Sequence, residues 1–399
     1  MTNTGATVSE GVLPCSHDQL SESLRRCESG GKVPMIWGAP GIGKTDVVHK
    51  YGMTRAEEEK REFKVWHRLS GGEKMELFKN PEARKKTYLV YDNRAASNDT
   101  TDDKGIPNIS NGEFLEWLPN MAYLIFAMEE SMGLLFNDEL TLAPTLVQNS
   151  MYKMVHDHAV GDIAFNPNIF VVCAGNRVQD QAFVQETPLP LRTRMIHFWL
   201  VPAKDKDQID YFMKIGVDHR LIAFFSRNPD KIFYKPEGSD EFTACTPRCI
   251  ENCSHVIKGL DYQRDRKLLE LMVCGSLSTL VGKLFMNFMK HTRSIDLDKY
   301  LKKPSLVANL RGDLDSIYGL ITLVIHRFSS NHKSEYDIFD PSIEIFDELR
   351  ECGEEETGIL MLRMMKDAHL DRFKKGLKGN AKAVKALQKI APIVLQSID

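Results

Sequence analysis

The sequence lacks most of the features that would assign it to a specialised class of protein. Its formal net charge is only −3, so nothing suggests a surface that coats nucleic acid. The first twenty residues have no charged-then-apolar layout, which gives no sign of a secretory leader. No apolar run is long enough for a membrane span. The nearest candidate, "MAYLIFAMEESMGLLF", is interrupted by Glu129 and Glu130. No internal repeat or low-complexity tract is visible. Cysteine is sparse, with eight in 399 residues, and a chain of this length does not need disulfide staples. Reduced thiols and a cytoplasmic location are therefore expected. Cys245, Cys249 and Cys253 recur every fourth residue, with His255 nearby as a fourth ligand, but do not have the paired spacing of a zinc knuckle. Small buried side chains on a helix face account for them better, and "HDH" at 156–158 is read as polar surface.

An ordinary globular composition remains, 42% hydrophobic and 27% charged, enough for two or three domains. "SHDQLSESLRRCES" has the form of a capped helix stopped by Gly30 and Gly31. "KVPMIW" is a short apolar run that enters a glycine loop, and "KTDVVHKYGM" has helical spacing. Residues 54–86 are dense in charge and read as solvated helices inserted between core elements. "TYLVYD" is a second strand, followed by a long polar loop, "NRAASNDTTDDKGIPNISNG". "GLLFND", "NIFVVCAG" and "MIHFWLV" are three more apolar runs separated by helical segments. Strands alternating with helices predict a parallel sheet covered on both faces, an α/β fold. Beyond residue 204 the pattern is helical throughout.

The glycine loop carries chemistry. "GAPGIGKT", residues 38–45, matches the phosphate-loop pattern in full. Gly38, Ala39, Pro40, Gly41, Ile42 and Gly43 let the backbone wrap a phosphate with its N–H groups inward. Lys44 reaches the β- and γ-phosphates, Thr45 offers a hydroxyl to Mg²⁺, and the helix start continuing through Asp46 faces the anion. "LLFNDE" supplies the second half of such a site. Asp138 is placed to complete the Mg²⁺ shell and Glu139 to polarise the attacking water. Asn137 is unusual in a run that is normally apolar, and a local hydrogen bond at the strand end would explain it. Asn176, at the end of "FVVCAGN", can bridge the γ-phosphate and that water. Arg192 and Arg194 precede the last strand, where an arginine can act on a neighbouring subunit's nucleotide. Arg248, at the start of the helix in "TPRCIE", can touch the nucleotide of its own subunit.

One tempting motif does not fit. "LSGGE", residues 69–73, is close to the signature loop of ABC-type ATPases. There it lies shortly before the Asp-Glu strand, whereas here it follows soon after the phosphate loop, inside the charged segment. Gly71 and Gly72 are expected to form a turn between two solvated helices.

Taken together, "WGAPGIGKTDVV", "DDKGIPNI", "EWLP", "NDELTLAPTLVQNSMYKMVHDHAVGD", "VVCAGNRVQDQAFVQETPLPLRTRMIHFWL" and "TPRCIENCSHVI" resemble the MoxR-like branch of the AAA+ ATPases, in that family's order. The resemblance implies a P-loop αβα domain with a helical lid, ATP and Mg²⁺ as cofactors, and a homo-oligomeric, hexameric ring. It implies Asn176 as sensor 1, Arg194 as the arginine finger (with Arg192 as the alternative), Arg248 as sensor 2 and "DDKGIP" as a pore-facing loop. It also implies a protein client, often one bearing a von Willebrand factor A domain, and a chaperone-like remodelling role. The expected organisation is a flexible tail at 1–16 and a nucleotide domain at 17–203 that contains the 54–86 insertion. A lid at 204–303 and a helical extension at 304–399 follow. Two other functions fit the same ATP site. One is a McrB-like translocase on nucleic acid, against which the acidic, polar loop argues. The other is a nucleotide-switched scaffold with little turnover, against which intact Glu139 and Arg194 argue.

Overall fold

The computed structural model describes residues 12–99, 101–102, 105–110, 116–177, 185, 187–236, 243–329, 338–380 and 384. They form two compact units that divide between Ala203 and Lys204. Residues 381–383 and 385–396 of the stretch "NAKAVKALQKIAPIVLQ", residues 103–104 of the expected pore loop and most of residues 178–186 lie outside the described residues.

The first unit begins with β1 (Pro14–Cys15), α1 (His17–Ser29), β2 (Val33–Trp37), α2 (Lys44–Glu58), β3 (Glu62–Val65), α3 (Gly71–Lys79), α4 (Pro81–Lys85) and β4 (Thr87–Arg94). It continues through β5 (Ile106–Asn108), β6 (Glu116–Leu118), β7 (Met132–Asp138), β8 (Ala159–Val160), β9 (Ile163–Ala164), β10 (Ile169–Gly175) and β11 (Met195–Leu200). Seven strands make one sheet in the order β1-β11-β2-β10-β7-β4-β3, and every neighbouring pair is parallel. The central strands are apolar on both faces because helices cover both sides. Met35, Ile36, Leu134, Leu135, Phe136, Val172 and Cys173 are all fully buried. A parallel sheet of this kind gathers its strand ends, and the loops that follow them, along one edge. That is where ligands bind in open α/β sheets.

Four local expectations need correction. Residues 54–86 are not simply solvated helices: α2 runs through to Glu58, and Glu62–Val65 is a strand of the main sheet in register with Thr87–Val90. Charge on a four-residue edge strand disguised it, since edge strands commonly carry charged side chains. Gly71 and Gly72 are not a turn between helices but the first turn of α3. Ser70 caps that helix, and its hydroxyl and the Glu73 carboxylate satisfy each other's backbone N–H groups. The long polar loop contains β5, which pairs antiparallel with β6. Finally, Pro14–Cys15 pairs with Trp199–Leu200, and Ser16 caps α1 with a capping box, so the end of the expected tail is structured.

The second unit is all-helical among its described regular elements, apart from one bridge between Tyr234 and Cys245. A single core runs from Ile209 to Leu377, with Phe224, Phe285, Phe339, Phe346 and Phe373 fully or almost fully buried. The division expected at 303/304 falls within this core. Arg220 ties the start of helix His219–Arg227 to the end of helix Pro247–Ile257. Its guanidinium bridges the Asp218 carboxylate and donates to the Ile257 and Leu260 carbonyls. That pairing outweighs burial and holds the Asp218 carboxyl below its ordinary value. Cys245 and Cys253 are buried, and desolvation pushes the Cys253 thiol up to about 12. No group of three or more metal-ligating side chains occurs among the described residues.

Candidate nucleotide site

The phosphate loop leaves β2 at Trp37 and enters α2 at Lys44. Gly41 and Gly43 have φ of 79° and 91°, a left-handed conformation that favours glycine and turns successive N–H groups into one concavity. Gly43 is the N-cap of α2 and has no side-chain cap, so the helix's first N–H groups are left to a ligand. The loop is braced from outside. His17, the first residue of α1, places Nε2 2.8 Å from the Ile42 carbonyl. Because that partner only accepts, Nε2 carries the proton.

Lys44 is buried, and its ammonium donates to the Gly38 and Ala39 carbonyls at 2.6 and 3.0 Å and to Asn176 Oδ1 at 2.8 Å. Three oxygens thus hold the charge in place over its own loop. Thr45 Oγ1 donates to Asp138 Oδ2 at 2.9 Å, while Asp138 Oδ1 accepts from the Glu139 backbone N–H at 2.8 Å. Asn176 is anchored in turn by its N–H to Thr141 Oγ1. The first unit therefore brings together residues from three separate stretches, the phosphate loop, Asp138–Glu139 and Asn176, at one end of the sheet. Thr45 and Asp138 offer two hard oxygens 2.9 Å apart, a donor set suited to Mg²⁺ and not to a soft metal.

Glu139 is exposed with φ 57°. An L-residue held there is strained, and such strain clusters at sites where geometry is functional. Arg194 lies in the turn between helix Leu189–Arg192 and β11. Its guanidinium donates to the Pro190 carbonyl at 2.6 Å and sits 4.7 Å from the centre of the Tyr152 ring. Arg192, at the end of the same short helix, is half-buried. Arg248 is carried by the second unit, exposed in the first turn of helix Pro247–Ile257.

Several contacts around the site were not visible in the sequence. Asn137 is fully buried, accepts from Asn93 Nδ2 at 2.9 Å and donates to Met154 Sδ at 3.1 Å. Asn93 in turn accepts from Asn98 at 2.6 Å. Asn93 and Asn137 face each other in register on β4 and β7, so the polar residue in the apolar run is half of a cross-strand amide pair. His49, one turn after Thr45 on α2, bonds Asp92 at 2.7 Å. Ile106, Ile109, Trp117 and Leu118 are all exposed on or beside the β5–β6 hairpin, an apolar character hidden in the sequence by the polar residues around it.

The fold and this site define an α/β P-loop NTPase fold with a helical second unit. Solved structures similar to the chain include PCH-2 from C. elegans, at 12% identity over 70% of this chain and 68% of that one, TM-score 0.29. A P216G mutant of Thermotoga maritima RuvB matches at 17% identity over 74% and 80%, TM-score 0.30. Aeropyrum pernix ORC2, solved as ADPNP-ADP complexes, matches at 12% over 90% and 93%, TM-score 0.33. No protein-family model and no curated protein matches the chain. No helix among the described residues is long and apolar enough to cross a membrane.

Proposed function

We propose that this chain is an ATP-hydrolysing AAA+ ring motor of the MoxR-like kind, which remodels or activates a protein partner. The observation that carries the reading is the convergence of Lys44, Thr45, Asp138 and Asn176 through direct hydrogen bonds. Lys44 exchanges its loop carbonyls for phosphate oxygens. Thr45 and Asp138 would hold Mg²⁺, which would supply charge neutralisation for the phosphates. Glu139 orients and deprotonates the attacking water, and Asn176 aligns it against the γ-phosphate. Arg194, delivered to the adjoining subunit's nucleotide, spreads charge off the transferring phosphoryl group. Such an arginine is worth roughly 10³-fold or more in rate. Arg248 reports the nucleotide state to the helical unit, and the ring is a hexamer, as the family resemblance implies.

The exposed Ile106, Ile109 and Leu118 on or beside the β5–β6 hairpin support a protein client, because they offer aliphatic contact. A von Willebrand factor A domain protein is the client class that the resemblance favours. The test is steady-state ATP hydrolysis by wild type and Glu139→Gln, with and without DNA. Wild type turns over, the variant falls about 10²-fold or more, and DNA changes neither. Stimulation by DNA would move the assignment to a translocase. A wild type without turnover would make the chain a nucleotide-switched scaffold. Proteins retained by the Glu139→Gln variant in ATP identify the client.

A further inference from the structure

A second set of contacts links the pocket to the arginine turn. Trp37, the last residue before the phosphate loop, donates its indole N–H to His197 Nδ1 at 2.8 Å. The two rings are stacked, with centroids 5.9 Å apart and planes 24° from parallel. His197 lies on β11, beside β2 in the sheet. Its other nitrogen, Nε2, sits 2.8 Å from the Arg192 carbonyl. The tautomer follows from the partners. Nδ1 accepts from an indole that can only donate, so Nε2 bears the hydrogen and donates to the carbonyl. That carbonyl ends a four-residue helix, Leu189–Arg192, where the last C=O groups have no partner within the helix. Two residues on is Arg194, whose backbone N–H bonds the Leu191 carbonyl and whose guanidinium reaches back to Pro190.

We propose that Trp37 and His197 are positioning residues, a hydrogen-bonded relay that sets the 192–194 turn, and so aims Arg194, from the strand that leads into the phosphate loop. This rests on the in-trans role of Arg194 given above. Among the described residues these two contacts use both ring nitrogens of His197, whereas a half-buried position on β11 would otherwise accept any β-branched or aromatic side chain. A relay joining the state of one nucleotide loop to an arginine used next door gives successive pockets in a ring a route to influence each other.

The test uses complementing full-length subunits. Glu139→Gln subunits cannot hydrolyse but supply Arg194. Arg194→Ala subunits keep Glu139 but supply no arginine. Each alone is inactive and the mixture is active if the arginine works in trans. His197→Ala is then added to one partner at a time. Placed in the Glu139→Gln subunits, it should lower the kcat of the mixture about tenfold with KM unchanged, the scale expected from misaiming one group by a fraction of an ångström. Placed in the Arg194→Ala subunits, it should change kcat by less than about twofold, since that turn carries no arginine to aim. His197→Gln, whose amide N–H reaches the Arg192 carbonyl, should restore the rate to within about twofold of the His197 mixture. Trp37→Phe keeps an aromatic ring but removes the indole N–H together with part of the ring, and should give the same asymmetry at about threefold, so it carries the test if His197→Ala does not fold. Equal losses from both placements, or no loss from either, would overturn the relay while leaving the ATPase reading intact. An inactive mixture would overturn the in-trans arginine and the relay with it.

Discussion

Replacing Asn137 by Leu restores the apolar residue normally found before the metal-binding aspartate, yet it should destabilise the protein. In the wild type the Asn137 amide oxygen accepts from Asn93 Nδ2, and both residues are buried, 0% and 1% exposed. The substitution removes a net-favourable hydrogen bond worth about 1 kcal/mol. It also leaves Asn93 Nδ2 with no partner in a dry sheet, a penalty of about 1–3 kcal/mol. Leucine's added apolar burial offsets roughly 1 kcal/mol of this, so the net loss should be about 1–3 kcal/mol. Asn93→Leu alone should cost a similar amount by orphaning the Asn137 amide oxygen, while Asn98, which also loses its bond to Asn93, is only half-buried and can turn to water. The double variant buries two apolar side chains against each other in register and should return to within about 1 kcal/mol of wild type, because removing both partners of a buried pair is far cheaper than removing one. The two single losses sum to about 2–6 kcal/mol against about 1 or less in the double variant, so the coupling between the two sites should be about 3 kcal/mol and no less than about 1. Urea unfolding followed by tryptophan fluorescence measures this cleanly. All four tryptophans, Trp37, Trp66, Trp117 and Trp199, lie in the first unit, so the signal reports that unit alone. Additive losses in the double variant would refute the argument.

Three further outcomes follow from other parts of the molecule. Burial pushes the His219 imidazole from 6.5 down to about 4, so the unfolded chain takes up its proton first. The stabilisation is complete above pH 6.5 and is lost as pH falls towards 4, which at pH 5 amounts to about 2 kcal/mol. His219→Phe, which keeps the ring stacked on His326, should flatten that loss when unfolding of the helical unit is followed by circular dichroism at pH 5 and 7.5. Gly38→Ala would place a Cβ 2.4 Å from Ile42 Cδ1 and 2.9 Å from the Leu200 carbonyl. The loop must shift, and ATP affinity in a titration should weaken by about tenfold or more, in keeping with an overpacking cost of about 1–3 kcal/mol. Ser70→Ala removes the hydroxyl cap of α3 and one of the two donors to Glu73, leaving the residue-70 backbone N–H, and should lower the tryptophan-reported stability of the first unit by about 1 kcal/mol.

Much of this architecture is local and so readable from sequence. Val33–Trp37, Met132–Asp138 and Ile169–Gly175 are continuous apolar runs closed by turn residues, and the glycines of the phosphate loop mark both the turn and the ligand. The features that escaped are of two kinds. Glu62–Val65 and the Ser70–Glu73 box had local signals masked by charge: a four-residue edge strand resembles a solvated segment, and a capping box beginning Ser-Gly-Gly resembles a turn. The Asn93–Asn137 pair, the Trp37–His197 stack and the Lys44–Asn176 bond depend on strand register between residues 44, 160 and 132 positions apart. No window of the chain contains both partners, and only the order β11-β2-β10-β7-β4 brings them together.

The central claim is that Lys44, Thr45, Asp138, Glu139 and Asn176 form one working ATP pocket. Its most direct test is an Mg²⁺–ATP binding isotherm, with turnover measured on the same samples, for wild type, Lys44→Ala and Glu139→Gln. Wild type and Glu139→Gln should bind alike while only wild type hydrolyses, and Lys44→Ala should lose binding by about 10²-fold, as expected when a buried charge-assisted contact to phosphate is removed. Unaltered binding by Lys44→Ala, or wild-type turnover by Glu139→Gln, would contradict it.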